Sequence, residues 1–439
     1  MPRRTSWVEG SMHPDCDFTV ENIPFGIIST CSLPIPHAAV AIGNFACDLE
    51  AFSNWPGFYE HLFPVLRYDR GVLSKPTLNT FAALGRQVHR EVRSKLQDIF
   101  TTGHADSLEG DADFRAKVLV PLEKVVTYLP MHIGDYTDFY AGIVHAKAVG
   151  TMFRGPENAL QPNYKHIPVG YHGRASSIVT SGTPIQRPWG QVVNDPKAVP
   201  KQPRTMPSQK LDYEVELGCF ISKTNEMGKP LSIEDADDHI FGYVLLNDWS
   251  ARDIQSWEYV PLGPFNGKNF ATTISTWVVL HEALEPFMTK GEPNDVELQP
   301  YLREKRENNV FDIALQIDTD FQTAEGEKST CELTRTNAKH LLWSFPQMIA
   351  HHTLGGCPLR TGDLLGSGTI SSSDGAMGGG SLLELTGVAN AASGEGSRGF
   401  LQDGETVIFR GYTSSEENGR VGFGLCTGRV EPALDLRFD

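Results

Sequence analysis

Glu214 and Glu216 stand two residues apart in Leu211-Asp212-Tyr213-Glu214-Val215-Glu216-Leu217. On a strand both carboxylates share one face, ~7 Å apart at a rise of ~3.3 Å per residue, with Tyr213, Val215 and Leu217 on the other. Two carboxylates side by side repel unless a cation lies between them. Asp248, at the end of the apolar run Tyr243-Val244-Leu245-Leu246, and Asp138, in the segment IGDYTDFY, can complete a cage. Four carboxylates with no Cys or paired His make an oxygen-only donor set, which favours Mg²⁺ or Ca²⁺ over Zn²⁺. No EF-hand loop or HExxH supports the assignment. The plain alternative is a half-exposed strand with a wet acidic face.

His145 follows Asp138 by seven residues and can serve as a general base beside a divalent cation. Such a base needs a carboxylate to orient it. Glu384 is the candidate, in Ser381-Leu382-Leu383-Glu384-Leu385, read as an apolar strand on which an unpaired acid is costly. The stretch Phe241–Thr273 adds two cations, Arg252 and Lys268, the amide of Gln255 and the phenol of Tyr259. Glycine-bounded loops at 170–174 and 366–371 present Tyr171 and Thr369. For each group the competing reading is an ordinary core or surface residue.

These groups need elements to position them. Residues 243–246 read as a buried strand, and Ser250 as the cap of a helical turn carrying Arg252, Asp253 and Gln255. A loop with Pro261, Gly263, Pro264 and Gly267 then delivers Lys268. Residues 38–47 read as a hairpin around Gly43-Asn44. An apolar stripe (Phe81, Leu84, Val88, Val92, Leu96, Ile99) predicts one helix over 76–103, with His89 on its solvated side. The proline-rich segment 182–209 reads as an ordered extended arm. Ser232 caps a short helix, and a second helix over 337–351 is interrupted at Pro346. Strands resume from 361 to 430. The glycine-rich patch 375–381 lacks the Lys-Ser/Thr of a phosphate loop and reads as a flexible surface loop, and residues 1–20 as a loose extension.

Length and composition set the frame. The chain has 439 residues, 40% hydrophobic and 21% charged, as in a soluble globular protein. Its net charge of −16 disfavours nucleic acid and anionic membranes as partners, because both would repel it. An anionic small substrate stays open where a local Arg/Lys cluster dominates a cleft. Seven scattered cysteines without a CxxC read as reduced thiols in a cytoplasmic protein. The amino-terminal segment has charges but no apolar stretch of the secretory kind, and no run reaches the ~18 apolar residues of a membrane span.

Taken together and in order, IGDYTDFY, MFRGPENALQPN, PVGYHGRASSIV, FGYVLLNDWSARDIQSWEYVPLGPFNGKNFATTIS and GDLLGSGTIS resemble the fumarylacetoacetate hydrolase family from about Phe25 to Val430. The resemblance implies a mainly β (α+β) protein. Residues 21–130 would form a small SH3-like β-barrel with a helical insertion. Residues 131–435 would form a large mixed β-roll catalytic domain, and residues 1–20 an extension. It implies a homodimer that hydrolyses a carbon–carbon bond of a β-diketo acid, 4-fumarylacetoacetate, in the last step of tyrosine and phenylalanine catabolism. Carried onto this chain, Asp138, Glu214, Glu216 and Asp248 match Ca²⁺ ligands, and Asp248, Lys268 and Thr272 a second, structural Mg²⁺ position. His145 matches the general base, with Glu384 as its partner. Tyr140, Arg154, Tyr171, Gln255, Tyr259 and Thr369 match substrate contacts. Arg252, Gln255 and Lys268 match the groups that steady the departing carbanion. One departure follows the base: His145-Ala146-Lys147-Ala148 stands where the family has His-Ala-Thr-Asn. Rival readings are a related metal-dependent acylpyruvate hydrolase or decarboxylase, and a non-catalytic calcium-stabilised β module.

Overall fold

The structure, a computed structural model, describes residues 3–195, 197–323, 326–375, 377–386 and 399–437. Five short strands come first: β1 (Phe25–Ser29), β2 (His37–Ile42), β3 (Phe45–Asp48), β4 (Leu119–Pro121) and β5 (Val126–Tyr128). They form one sheet in the order β4-β3-β2-β1-β5. The expected hairpin is present, since β2 and β3 pair from Ala39↔Asp48 to Ile42↔Phe45 around Gly43-Asn44.

A central sheet follows, built from β6 (Tyr136–Phe139), β7 (Gly170–Gly173), β8 (Ile178–Thr180), β9 (Val215–Ile221), β10 (Ile240–Asp248), β11 (Thr272–Ile274) and β12 (Leu364–Gly366). Its order is β7-β6-β12-β9-β10-β11-β8, with Val279–Leu280 adding an eighth strand against β10. Every residue of β9 and β10 is buried, as expected of strands covered on both faces. Alternation divides them between two cores. Val215, Leu217, Cys219, Tyr243 and Leu245 face a core shared with Leu315, Ile317, Phe409 and Phe423. Those residues belong to a further sheet whose long strands are Ala314–Gln322, Lys328–Asn337, Thr406–Ser415 and Gly419–Glu431. Phe220, Phe241, Val244 and Leu246 face a second core with Phe25, Ile27, Val40, Phe81 and Leu96 of the first 130 residues. The amino-terminal region and the central sheet therefore share apolar contacts, and Phe25 also bonds the backbone of Val278.

Several local expectations are corrected. The helix read over 76–103 is two pieces, Asn79–Ala82 and Arg86–Phe100. Gly85 at φ +87° ends the first turn, since αR geometry cannot pass through a residue in the positive-φ region. His89 is not solvated but fully buried, its Nε2 3.1 Å from the Phe81 carbonyl and its ring against Phe81 and Phe241. Residues 3–20 are not loose: Val8 and Val20 are core residues, Trp7 donates to the Ile99 carbonyl, and Asp17 pairs with Arg420 at 2.8 Å. Ser250 is not a cap. It lies in a two-residue strand with Ala251 paired to Leu211–Asp212, and the helix Arg252–Glu258 has no side-chain cap. Pro346 does not interrupt a helix but opens one, Phe345–Thr353, in its first turn, after Ser344 forms a capping box with Gln347.

Within the arm 182–209, Trp189–Val192 pairs with Arg204–Pro207, so its described residues carry the expected extended structure. The described part of the glycine-rich patch is not a free surface loop. Gly379 and Gly380 carbonyls accept from Thr334 Oγ1 and from the Val215 amide, which fastens the patch beside β9.

The His89 environment has a measurable consequence. Burial lowers its pKa from 6.5 to about 4, while the unfolded chain keeps the ordinary value. The unfolded state then binds the extra proton first, so stability is intact above about pH 6.5 and drains away as the pH falls toward 4. Chemical denaturation at pH 7 and pH 5 should show a loss about 2 kcal/mol larger for the wild type than for H89Q. Equal losses in the two proteins would contradict this account.

Candidate active site

The four carboxylates come from three segments, Glu214 and Glu216 from one of them, and are brought together by strand register. Leu246 and Val244 set the parity of β10, so Asp248 emerges on the face they share. On β9, Glu216 lies opposite Leu246, and Glu214 just precedes the strand with its carbonyl accepting from the Asp248 amide. β12 brings β6 into place: Gly366 pairs with Asp138 on one side, and Gly218 with Gly366 on the other. One carboxylate oxygen each of Asp138, Glu216 and Asp248 lie within 4.8 Å of one another, all buried. Room for them depends on Gly366, where a Cβ would come within 2.6 Å of Asp138 Oδ1 and 2.8 Å of Glu216 Oε2.

Charge in this pocket is unevenly matched. Lys268 Nζ pairs with Glu214 Oε2 and Asp248 Oδ2, and Arg252 reaches Glu214 Oε1 at 2.8 Å. Burial would raise the Glu214 carboxyl, but Lys268 and then Arg252 hold it far below the usual range. Among the described residues, Asp138 and Glu216 pair with no cation of their own. Burial first, then Asp248 for Asp138 and Asp138 for Glu216, push both carboxyls well above it. Asp248 is raised as well, chiefly by burial and against the pull of Lys268. Asp138 Oδ1 and Glu216 Oε1 find no hydrogen-bond partner among the described residues. The donors nearby serve other oxygens: Tyr171 Oη lies 3.0 Å from Asp138 Oδ2 and 3.1 Å from Asp248 Oδ2, and the Gly368 amide donates to Glu216 Oε2. Hard oxygen atoms, buried and short of positive charge, fit a divalent cation of the Ca²⁺ or Mg²⁺ kind.

Beside them, His145 sits in the first turn of the helix Ile143–Arg154. Its Nδ1 is 2.7 Å from Glu384 Oε2, and both side chains are buried. Glu384 is not on a strand, as the apolar sequence suggests, but in a helical turn beginning at Leu382. Ser371 and Ser381 hydroxyls also donate to its Oε2, at 2.9 and 3.1 Å. The acid is thus fully occupied on the oxygen that faces the imidazole.

Most of these groups line one cleft of about 400 Å³. It gathers Asp138, Tyr140, His145, Arg154, Tyr171, Glu214, Glu216, Arg252, Gln255, Tyr259, Lys268 and Thr369 from the sequence-predicted set. Three predicted residues lie behind its wall: Asp248 beneath Lys268 and Tyr171, Glu384 behind His145, and Thr272 opposite Asp248 on β11. Arg154 is partly committed to its own loop, donating to the carbonyls of Asn158 and Ala159.

Residues 136–431 match the family described as fumarylacetoacetate hydrolase C-terminal, and residues 21–130 the family described as fumarylacetoacetase N-terminal. The chain belongs to the fumarylacetoacetate hydrolase family. Among its relatives in that family, a fumarylacetoacetase of Aspergillus fumigatus is 57% identical over 439 residues, covering 99% of this chain and 100% of that one. Those of Rattus norvegicus and Homo sapiens are 46% and 44% identical, each across 96% of this chain and 97% of the other.

For this family member, sequence reasoning missed the supports around the site. Gly366, Ser371 and Ser381 belong to stretches with many glycines and serines, and nothing in their spacing separates them from turn residues. The signal available for Gly366 was its place in a short apolar run, Leu364-Leu365-Gly366, where a glycine marks close approach. Gly366→Ala should therefore weaken Ca²⁺ or Mg²⁺ binding by at least about tenfold by isothermal titration calorimetry, as the carboxylates beside it are displaced. Unchanged affinity would show that the carboxylates do not need that space.

Proposed function

We propose that this chain hydrolyses the carbon–carbon bond of 4-fumarylacetoacetate to fumarate and acetoacetate. The observation that carries the reading is the shared cleft: a tethered imidazole, a cation-hungry carboxylate cluster and two buried cations open onto the same space. The match of residues 21–130 to the fumarylacetoacetase N-terminal family favours this over an acylpyruvate hydrolase or decarboxylase, and so do the full-length relatives named fumarylacetoacetase.

Asp138, Glu214, Glu216 and Asp248 would hold Ca²⁺ or Mg²⁺. When bound, the ion supplies Lewis-acid polarisation of the substrate's diketone oxygens. Thr272 is paired with Asp248, and these two with Lys268 would hold a second, structural Mg²⁺. An ammonium cannot ligate, so Lys268 could contribute there only through its carbonyl. His145 is the general base. With Nδ1–H donated to Glu384, the lone pair of Nε2 is the one left to take a proton from water. The water oxygen attacks the carbonyl carbon, and the charge arriving on oxygen faces Arg252, Gln255 and Lys268. Gln255 Oε1 accepts from Arg252 Nη1 at 3.2 Å, which turns its amide N–H groups outward as donors. Cleavage leaves acetoacetate's carbanion, which the same cations steady until the His145 imidazolium returns to it the proton taken from water. Arg154, with Tyr140, Tyr171, Tyr259 and Thr369, would bind the carboxylate ends and the chain between them.

We also propose the finer architecture that the family likeness implies: an SH3-like barrel over 21–130, a β-roll over 131–435, and a homodimer in the cytoplasm. No helix among the described residues is long and apolar enough to cross a membrane.

Loss of the ultraviolet absorbance of fumarylacetoacetate tests the activity directly, and absence of turnover with Ca²⁺ or Mg²⁺ present would refute it. His145→Ala should lower kcat by about 10²–10⁴-fold with ion affinity retained; an unchanged kcat would remove His145 from the role. Chelation with EDTA should abolish turnover, and added Ca²⁺ or Mg²⁺ should restore it.

A further inference from the structure

Asp212 belongs to none of the groups assigned so far, yet it is completely buried two residues before Glu214. Its strand partner is the pair Ser250–Ala251, immediately before Arg252, and the Arg252 amide bonds the Lys210 carbonyl. This pairing lays the Asp212 carboxylate alongside the guanidinium. Arg252 Nε donates to Asp212 Oδ2 at 2.8 Å. The same carboxylate is held from behind by two backbone donors, Leu382 N–H on Oδ1 at 2.7 Å and Leu383 N–H on Oδ2 at 3.0 Å. Those amides open the turn that carries Glu384.

A guanidinium presents its donors as a rigid fork, so fixing one edge fixes the plane. Arg252 has three neighbours: Asp212 at Nε, Glu214 at Nη2 and Gln255 at Nη1. Glu214 is itself a candidate ion ligand and Gln255 a candidate substrate contact, so both have other partners when the site is loaded. Asp212 is fully buried and pairs with no other cation among the described residues. We propose that Asp212 is the positioning residue for Arg252: it sets the guanidinium plane that faces the charge developing on the substrate, and the Leu382 and Leu383 amides set Asp212. This rests on the role given to Arg252 above.

Two substitutions and their combination test it. D212N keeps an oxygen for the Leu382 amide but loses the carboxylate partner of Nε. With fumarylacetoacetate and saturating Mg²⁺ or Ca²⁺, R252Q should lower kcat by about 10²–10³-fold. D212N should lower it by about 10–10²-fold, with KM within about threefold. The decisive reading is the double variant. If Asp212 acts through Arg252, D212N/R252Q should have the kcat of R252Q alone, within about threefold. Losses that multiply in the double variant, or a D212N kcat equal to wild type, would overturn the positioning role. Should D212N fail to fold, the double variant leaves no guanidinium unpaired, and its comparison with R252Q separates the same two outcomes. A wild-type kcat in R252Q would instead refute the reading of Arg252, and the inference with it. A structural defect shared by all three would show as matched losses of thermal stability without the non-additive kcat.

Discussion

The constraint on which the rest depends is a surplus of buried negative charge. Asp138, Asp212, Glu214, Glu216 and Asp248 are all buried within one neighbourhood, against the cations of Lys268 and Arg252. Charges removed from water must be paired, neutralised or bound to an ion, because desolvation otherwise costs several kcal/mol per group. The protein pairs Glu214 and leaves Asp138 and Glu216 wanting. That asymmetry divides the cleft: one end carries the fixed positive charge of Lys268 and Arg252, and the other a set of buried carboxylate oxygens whose chemistry fits a divalent cation.

Keeping such a cluster together calls for a stiff frame. Adjacent strands supply it through register, with β6, β12, β9 and β10 placing Asp138, Gly366, Glu216 and Asp248 in fixed relation. An apolar core lies on each face of that sheet. The amino-terminal 130 residues contribute most of one of them, so this region has a structural part in the site although none of its described residues lines the cleft. Outer hydrogen bonds then aim the working groups, as the serine pair does for Glu384 and the Leu382 and Leu383 amides do for Asp212.

Much of this is legible in the amino-acid sequence, for definite reasons. Glu214 and Glu216 can be placed on one face because strand alternation is geometric and needs no tertiary information. The buried strand through Tyr243–Leu246 follows from its apolar continuity. Other features depend on contacts that no local pattern records. His89 reads as solvated from its polarity, yet it stands three residues before Val92 and seven before Leu96 on the buried face of its helix, with its ring against Phe81 and Phe241. Glu384 looks like a strand residue because a short apolar run suits a strand or a buried helical turn equally. Pro346 looks like a breaker, although in the first turn of a helix its missing N–H is no loss. Gly366 and Asp212 stay silent because their roles are relations between distant segments.

The most direct test of the charge argument is thermal unfolding with and without a saturating divalent ion, in the wild type and in E216Q. If the buried carboxylates are completed by an ion, Ca²⁺ or Mg²⁺ should raise the wild-type Tm by at least about 2 °C. E216Q should lose most of that rise, while being less sensitive to ion removal. No rise in the wild type, or the same rise in E216Q, would contradict the account.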